Sequence, residues 1–181
     1  MKPILRGRII LVSLILLFAL PVVIAKAILS NQWYQSGVTN SGTLIEPLAS
    51  FESMGVDNPL YKQSWQLGYL VPKSCDQFCV QQLHLLSQSH LALGKYQARV
   101  APVLMLAPDS DPNVQARYDF QSIKVNEEFE KRIHGFEFVI VDPLGQLVMR
   151  YPKVSSEKGL VVQSKGLLAD LRKLLKLSRV G

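Results

Sequence analysis

Cys75 and Cys79 are the only cysteines in this 181-residue chain, and they stand four apart. They fall between a strand-like run at 65–71 (Trp-Gln-Leu-Gly-Tyr-Leu-Val) and a helix-like run that reaches residue 93. Two thiols at such a junction can close into a disulfide, exchange with a partner's disulfide, or hold a soft metal as thiolates. The free amides of a helix N-terminus favour negative charge and so favour the thiolate. A bridge over so short a loop removes little chain entropy, which shifts weight from a structural staple to a chemical role. Cys75 and Cys79 are therefore the candidate catalytic pair. No base, nucleophile or phosphate-loop pattern elsewhere points to a hydrolase or a kinase.

The elements that must position the pair follow from apolar spacing. The strand at 65–71 is followed by a turn at 72–74 and a helix over 75–93, with Val80, Leu83, Leu86 and Leu91 at helical spacing and Gly94 ending it. Asp76 is placed to cap that helix, and its charge would oppose thiolate formation. Trp65 and Tyr69 alternate with Leu67, as core residues on one strand face do. A buried strand spans 99–107, a loop 108–112, and a helix lies around 126–133. A strand at 136–141, a tight turn at 142–145 and a strand at 146–151 make a hairpin. Ser164 is read as the cap of a last helix whose stripe is Leu167, Leu168, Leu171, Leu174 and Leu175. The order β, α, β, (α), β, β, α is an α/β thioredoxin-like layout, a central mixed β-sheet flanked by helices.

One N-terminal transmembrane helix precedes this domain. Residues 9–25 are apolar except for Ser13, and Ala27, Ile28 and Leu29 extend the run past Lys26. Lys2, Arg6 and Arg8 come before it, which places the N-terminus in the cytoplasm and the rest outside. A cleaved signal ending at Ala25-Lys26-Ala27 is the rival reading, and the length of the run favours the anchor. The expected organisation is a cytoplasmic stretch at 1–8, an anchor at 9–29, a periplasmic tether at 30–63 with a short strand near 42–45, and the thioredoxin-like domain at 64–181. That puts the chain in a bacterial inner (cytoplasmic) membrane as a single-pass protein. Four of its 20 basic residues belong to the anchor and its flanks, so sixteen face 14 acidic ones in the outer part. No basic block interleaved with aromatics occurs, so nucleic acid is excluded as a partner. Arg172, Lys173, Lys176 and Arg179 read as the solvated face of a helix.

With Cys75-x3-Cys79 at a strand-to-helix turn, the outer domain resembles the SCO/SenC family, membrane-anchored thioredoxin-like proteins that assist copper delivery to cytochrome c oxidase. That family binds copper through a Cys-x3-Cys pair and a distant histidine just before a strand ending in an x-Pro-x-Gly turn. The matching residue is His134, followed by a strand-like run, Pro143 and Gly145. A small proteobacterial subgroup linked to oxidase assembly is similar in its Thr-Asn-x-Gly-x-Leu segment (Thr39 to Leu44), its Cys-Asp-x-x-Cys site and its final segment from Asp170. The resemblance implies Cu(I) as the candidate metal, with Cys75, Cys79 and His134 as ligands. It also implies cytochrome c oxidase subunits or copper chaperones as partners. The chain departs from the family pattern where Asp76 and Val80 replace the prolines after each cysteine, and where Ile133 replaces the Asp before the histidine.

Three functions remain open at this level. The first is delivery of Cu(I), or reduction of a partner's cysteines, in oxidase biogenesis. The second is thiol–disulfide exchange without copper. The third is a scaffold for oxidase assembly whose site no longer reacts. His84 and His90 have no metal-ligand spacing to a second histidine or carboxylate and read as ordinary helix residues.

Overall fold

The computed structural model describes residues 3–30 and 40–178 in two units divided after residue 39. Lys2, the first half of the turn at 38–42, and Arg179 lie outside the described residues.

The first unit is one helix, α1 (Pro3–Ser30). Its segment Arg6–Ala27, 22 residues long, contains an 18-residue stretch of mean hydropathy 2.8 and is exposed all round. At about 1.5 Å per residue it reaches roughly the 30 Å of a bilayer's hydrocarbon core. By length and composition it can cross a membrane.

The second unit is a six-stranded sheet with helices on both faces. Its elements are β1 (Thr43–Ser50), β2 (Trp65–Leu70), α2 (Gln77–Leu91), β3 (Val100–Leu106), α3 (Pro112–Arg117), β4 (Gln121–Lys124), α4 (Glu127–Glu130), β5 (Phe138–Val141), β6 (Gln146–Tyr151) and α5 (Glu157–Leu177). The strand order is β1-β6-β5-β2-β3-β4. β2, β3 and β4 run parallel, while β5 pairs antiparallel with β2 and β6 with β5. The crossover through α2 makes the parallel pair, and the tight turn at 142–145 makes the hairpin. Gly145 holds φ 79°, and Asp142 Oδ1 accepts from the amides of Leu144 (2.9 Å) and Gln146 (2.8 Å).

Alternation along β2 divides the core in two. Trp65, Leu67 and Tyr69 face α2 and α5, where Leu83, Leu86, Leu167, Leu171 and Leu175 are buried. Leu70, Val103, Met105, Val139 and Val141 face the other way, onto Phe51, Met54, Phe129 and Ile133. Gly68 lies on that second face, where an added Cβ would stand 2.2 Å from the end of the Met105 side chain. The leucine stripe expected on the last helix packs as core.

Several expectations are corrected. The stretch expected as a tether supplies β1, an eight-residue edge strand paired with β6. The short strand expected near 42–45 is its first part; Pro47 and a register shift between Leu44 and Ala49 hid the rest, and both are tolerated at an edge. The short strand β4 and the helix α3 went unread because Ile123 is the one buried residue of β4 and Val114 the one of α3. The helix near 126–133 shrinks to α4, capped by Asn126. The last helix starts at Ser156, whose side chain accepts from Gly159 N, so Ser164 is interior and bonds back to Val161 O. Gly159 and Gly166 had lowered the helical signal. A Cβ on Gly166 would meet the Ser41 side chain at 2.4 Å. Leu91, expected on the buried face, is exposed at the helix end.

One buried carboxylate ties the two ends of the unit together. Asp170 Oδ2, on α5, accepts from Ser41 N (2.8 Å), Gly42 N (2.9 Å) and Tyr151 OH (2.9 Å). Burial, and then the Asp170 charge, push the Tyr151 phenol well above its ordinary value.

Candidate functional site

Cys75 and Cys79 form a disulfide, with Cα atoms 5.1 Å apart, where β2 hands over to α2. Asp76 is the helix cap, its side chain accepting from Cys79 N at 2.9 Å. That cap leaves Cys75 outside the first turn and Cys79 inside it. The two cysteines therefore differ in exposure, Cys79 being 0% exposed and Cys75 half-buried.

The loop carrying Cys75 is laced to the loop after β3. Ser110 Oγ donates to Val71 O (2.7 Å), Asp111 N donates to Pro72 O (2.9 Å), and Asp111 Oδ2 accepts from Cys75 N (3.0 Å). Asp111 Oδ1 accepts from Asn113 N at 3.0 Å and so caps α3. The Cys75 amide first, and the Asn113 amide next, hold the Asp111 carboxyl below its ordinary value. Lys73 and Asp109 pair at 2.6 Å on the surface, a contact worth little in water.

The turn at 134–136 closes the other side. β5 lies beside β2, so the residues before β5 come to the end of β2 next to the disulfide loop. Phe136 N donates to Leu70 O (3.0 Å), and a Cβ on Gly135 would stand 3.3 Å from Pro72 Cα. Gln82, 0% exposed on α2, donates from Nε2 to Phe136 O (2.8 Å) and accepts at Oε1 from Tyr69 OH (2.9 Å). Burial, and secondarily the charge of Asp76, push the Tyr69 phenol well above its ordinary value. The Phe136 ring meets Phe78 at 6.3 Å between centroids, and Lys153 Nζ sits 3.6 Å from the Phe136 centroid. A cleft of about 400 Å³ lies between the two loops, lined by Pro72, Ser74, Gly135 and Phe136 among others.

The three expected site residues are thus unequally served. Cys75 and Cys79 are joined. His134 is exposed in the turn just before β5, and among the described residues no three His, Cys, Asp or Glu side chains gather in a group that could hold a metal. In this oxidised form neither sulfur is a thiolate. His84 is exposed, and His90 Nε2 lies 3.2 Å from Gln97 O.

Sequence reading missed Asp111 and Gln82. The Asp-Pro step at 111–112 is a helix-start signal, with the cap before a proline at the first helical position. Gln82 falls among Cys79, Leu83 and Leu86 on the buried face of α2, so its position alone marked a polar group needing a partner.

Among curated proteins none matches the chain. Among solved structures it is similar to yeast Sco1, at 18% identity over 67% of this chain and 85% of that one, with a TM-score of 0.49. It is similar to yeast Sco1 with copper bound at 18% identity over 78% and 96%, with a TM-score of 0.47. It is similar to BsSco, described as a Sco-family cytochrome c oxidase assembly protein with a disulfide switch, at 16% identity over 72% and 86%, with a TM-score of 0.45. The family model described as "transmembrane-like, thioredoxin-like, C-terminal domain" matches residues 65–178, which hold the cysteine pair, the turn before β5 and the last helix. The strand order and the crossover through α2 agree with that description, and the chain belongs to this thioredoxin-like family.

Proposed function

We propose that this chain is a single-pass inner-membrane protein whose outer domain lies in the periplasm. There Cys75 and Cys79 cycle between dithiol and disulfide in the assembly of cytochrome c oxidase, with Cu(I) as cargo. The observation that carries the reading is the disulfide at the start of α2, with Cys75 half-buried and Cys79 enclosed. The basic residues ahead of the apolar helix support the orientation.

The unequal access assigns the roles. In the reduced protein, the Cys75 thiolate attacks one sulfur of a partner's disulfide. A mixed disulfide forms, and the partner's other sulfur leaves as a thiolate. Cys79, enclosed and one helical turn away, then attacks Cys75 Sγ. The Cys75–Cys79 bond closes and the partner is released as a dithiol, having gained two electrons and two protons.

Copper enters as cargo on the reduced form. Two thiolates and an imidazole are a soft donor set suited to Cu(I). His134 would supply the imidazole, because its turn lies against Pro72 at the mouth of the site. Of the similar solved proteins, yeast Sco1 is known with copper bound and BsSco belongs to a family of cytochrome c oxidase assembly proteins. A second reading, exchange without copper, draws on the departures from the family pattern at Asp76, Val80 and Ile133.

The test is an anaerobic Cu(I) titration of the reduced full-length chain in micelles against a chromogenic chelator. One-to-one binding, weakened at least about tenfold in His134→Ala, is expected. No competition for Cu(I), together with rapid exchange with a small dithiol, would move the assignment to the copper-free reading. If a Cys75→Ser, Cys79→Ser double variant still restored oxidase assembly in a deletion strain, both readings would fall and a scaffold role would replace them.

A further inference from the structure

Phe136 holds φ 72°, a left-handed backbone that a phenylalanine rarely adopts. Such a conformation persists only where its surroundings over-determine it. Here the surroundings are specific. The Phe136 amide is bound by Leu70 O, its carbonyl by Gln82 Nε2, and its ring rests near Phe78 of α2. Gln82 is itself fixed, because Tyr69 OH occupies its Oε1, and both side chains are fully buried. The bridge spans the two halves of the site. Gln82 lies three residues beyond Cys79 on the same helix, and Phe136 lies two residues beyond His134 in the same turn.

We infer that Gln82 is a positioning residue that, backed by Tyr69, clamps the turn bearing His134 to the helix bearing Cys79. The inference rests on the function proposed above for what the clamp serves, but the clamp has its own readout. A buried amide can donate to one backbone carbonyl and accept from one phenol at once. Leucine can do neither. Glutamate keeps the acceptor for Tyr69 OH and, when ionised, loses the donor to Phe136 O.

The experiment uses the full-length chain in micelles, as wild type, Gln82→Leu and Gln82→Glu, each with and without His134→Ala. Hydrogen exchange of the segment 134–138 should speed up at least about tenfold in both Gln82 variants, because the turn's protected amides open more often, while β3 keeps its protection. Cu(I) affinity of the reduced protein should fall about tenfold in Gln82→Leu, the usual effect of removing a partner that orients a ligand, and should not fall further once His134 is alanine.

Unchanged exchange at 134–138 in a variant whose β3 stays protected would overturn the clamp. A loosened turn with unaltered Cu(I) affinity, where His134→Ala does weaken it, would overturn the positioning role. Should His134→Ala leave Cu(I) binding intact, the ligand role of His134 fails, and the exchange result still decides whether Gln82 holds the turn. Should Gln82→Leu unfold, Gln82→Glu decides, since it keeps the volume and the Tyr69 bond.

Discussion

Asp170 and Asp111 each hold backbone amides of a distant segment, Asp170 inside the core and Asp111 at the mouth of the disulfide. Asp170 is 3% exposed and takes three donors on one oxygen, the amides of Ser41 and Gly42 and the hydroxyl of Tyr151. Asp111 takes the Cys75 amide on one oxygen and the Asn113 amide on the other, in a loop open to water. In the interior a hydrogen bond is electrostatically stronger, and an unmade one leaves a desolvated group with nothing to replace its partner. At the surface water takes the place of either partner. The joint between β1 and α5 is therefore fixed, and the joint beside the cysteines can be remade. A pair that opens and closes a disulfide needs the second kind, because Cys75 must move when the sulfurs separate.

The largest effect separating the two joints should come from Asp170→Ala. It leaves a buried amide, a part-buried amide and a buried phenol without their acceptor, at a cost of about 3 kcal/mol or more. Urea unfolding of the unit at 40–178 would show it. The equilibrium of Cys75–Cys79 with glutathione should stay where it is, since Asp170 touches nothing in the disulfide loop. A shift in that equilibrium would mean the two ends of the sheet are coupled, and the contrast would fail. Gly42 belongs to the same joint, because a Cβ there would stand 2.6 Å from the Tyr151 ring.

Reduction of the disulfide comes next. The bridge closes a loop of five residues, for which the chain-entropy account gives about 2 kcal/mol. Reduction should lower the urea midpoint by a corresponding amount and speed hydrogen exchange around 72–80. Exchange in β6 and α5 should not change. Loosening that spread to β6 and α5 would make the pair a staple of the whole domain and not a local device.

The fold was legible wherever burial imposed a period. β2, β3, the hairpin and the leucine stripe of α5 are buried on one or both faces, and their apolar residues recur at strand or helix spacing. It was illegible at the edges. β1 and β4 have one face or less in the core, so the part of β1 beyond residue 45, with its proline, and the polar run of β4 passed for loop. The start of α5 was missed because its first turns carry exposed Val161 and Val162 and two glycines. In the site, the cysteine pair and its capping Asp76 could be read locally, because cap and thiols are neighbours in the chain. Asp111, 36 residues from Cys75, and Phe136, 54 from Gln82, reach the site only through the strand order β5-β2-β3. A single sequence does not encode such pairings at any fixed spacing.

The smallest effect, and the most specific, belongs to Asp111→Asn. The folded pKa of Asp111 lies below its ordinary value of 3.8, because the amides of Cys75 and Asn113 favour the carboxylate. The sign follows from linkage. The folded state binds this proton less readily than the unfolded chain, so the contribution is complete above about pH 4 and is lost as pH falls through the folded value. Asparagine carries no charge to lose. Wild type and Asp111→Asn should therefore differ slightly in urea midpoint at pH 7 and converge towards pH 3. Alkylation of reduced Cys75 at pH 7 should be faster in the variant, since a negative charge that opposes the thiolate has gone. A difference in midpoint that persisted unchanged at pH 3 would mean Asp111 holds Cys75 without its charge. The contrast with Asp170 would then rest on burial alone, and the adjustable joint would have to be sought in the turn that Gln82 holds.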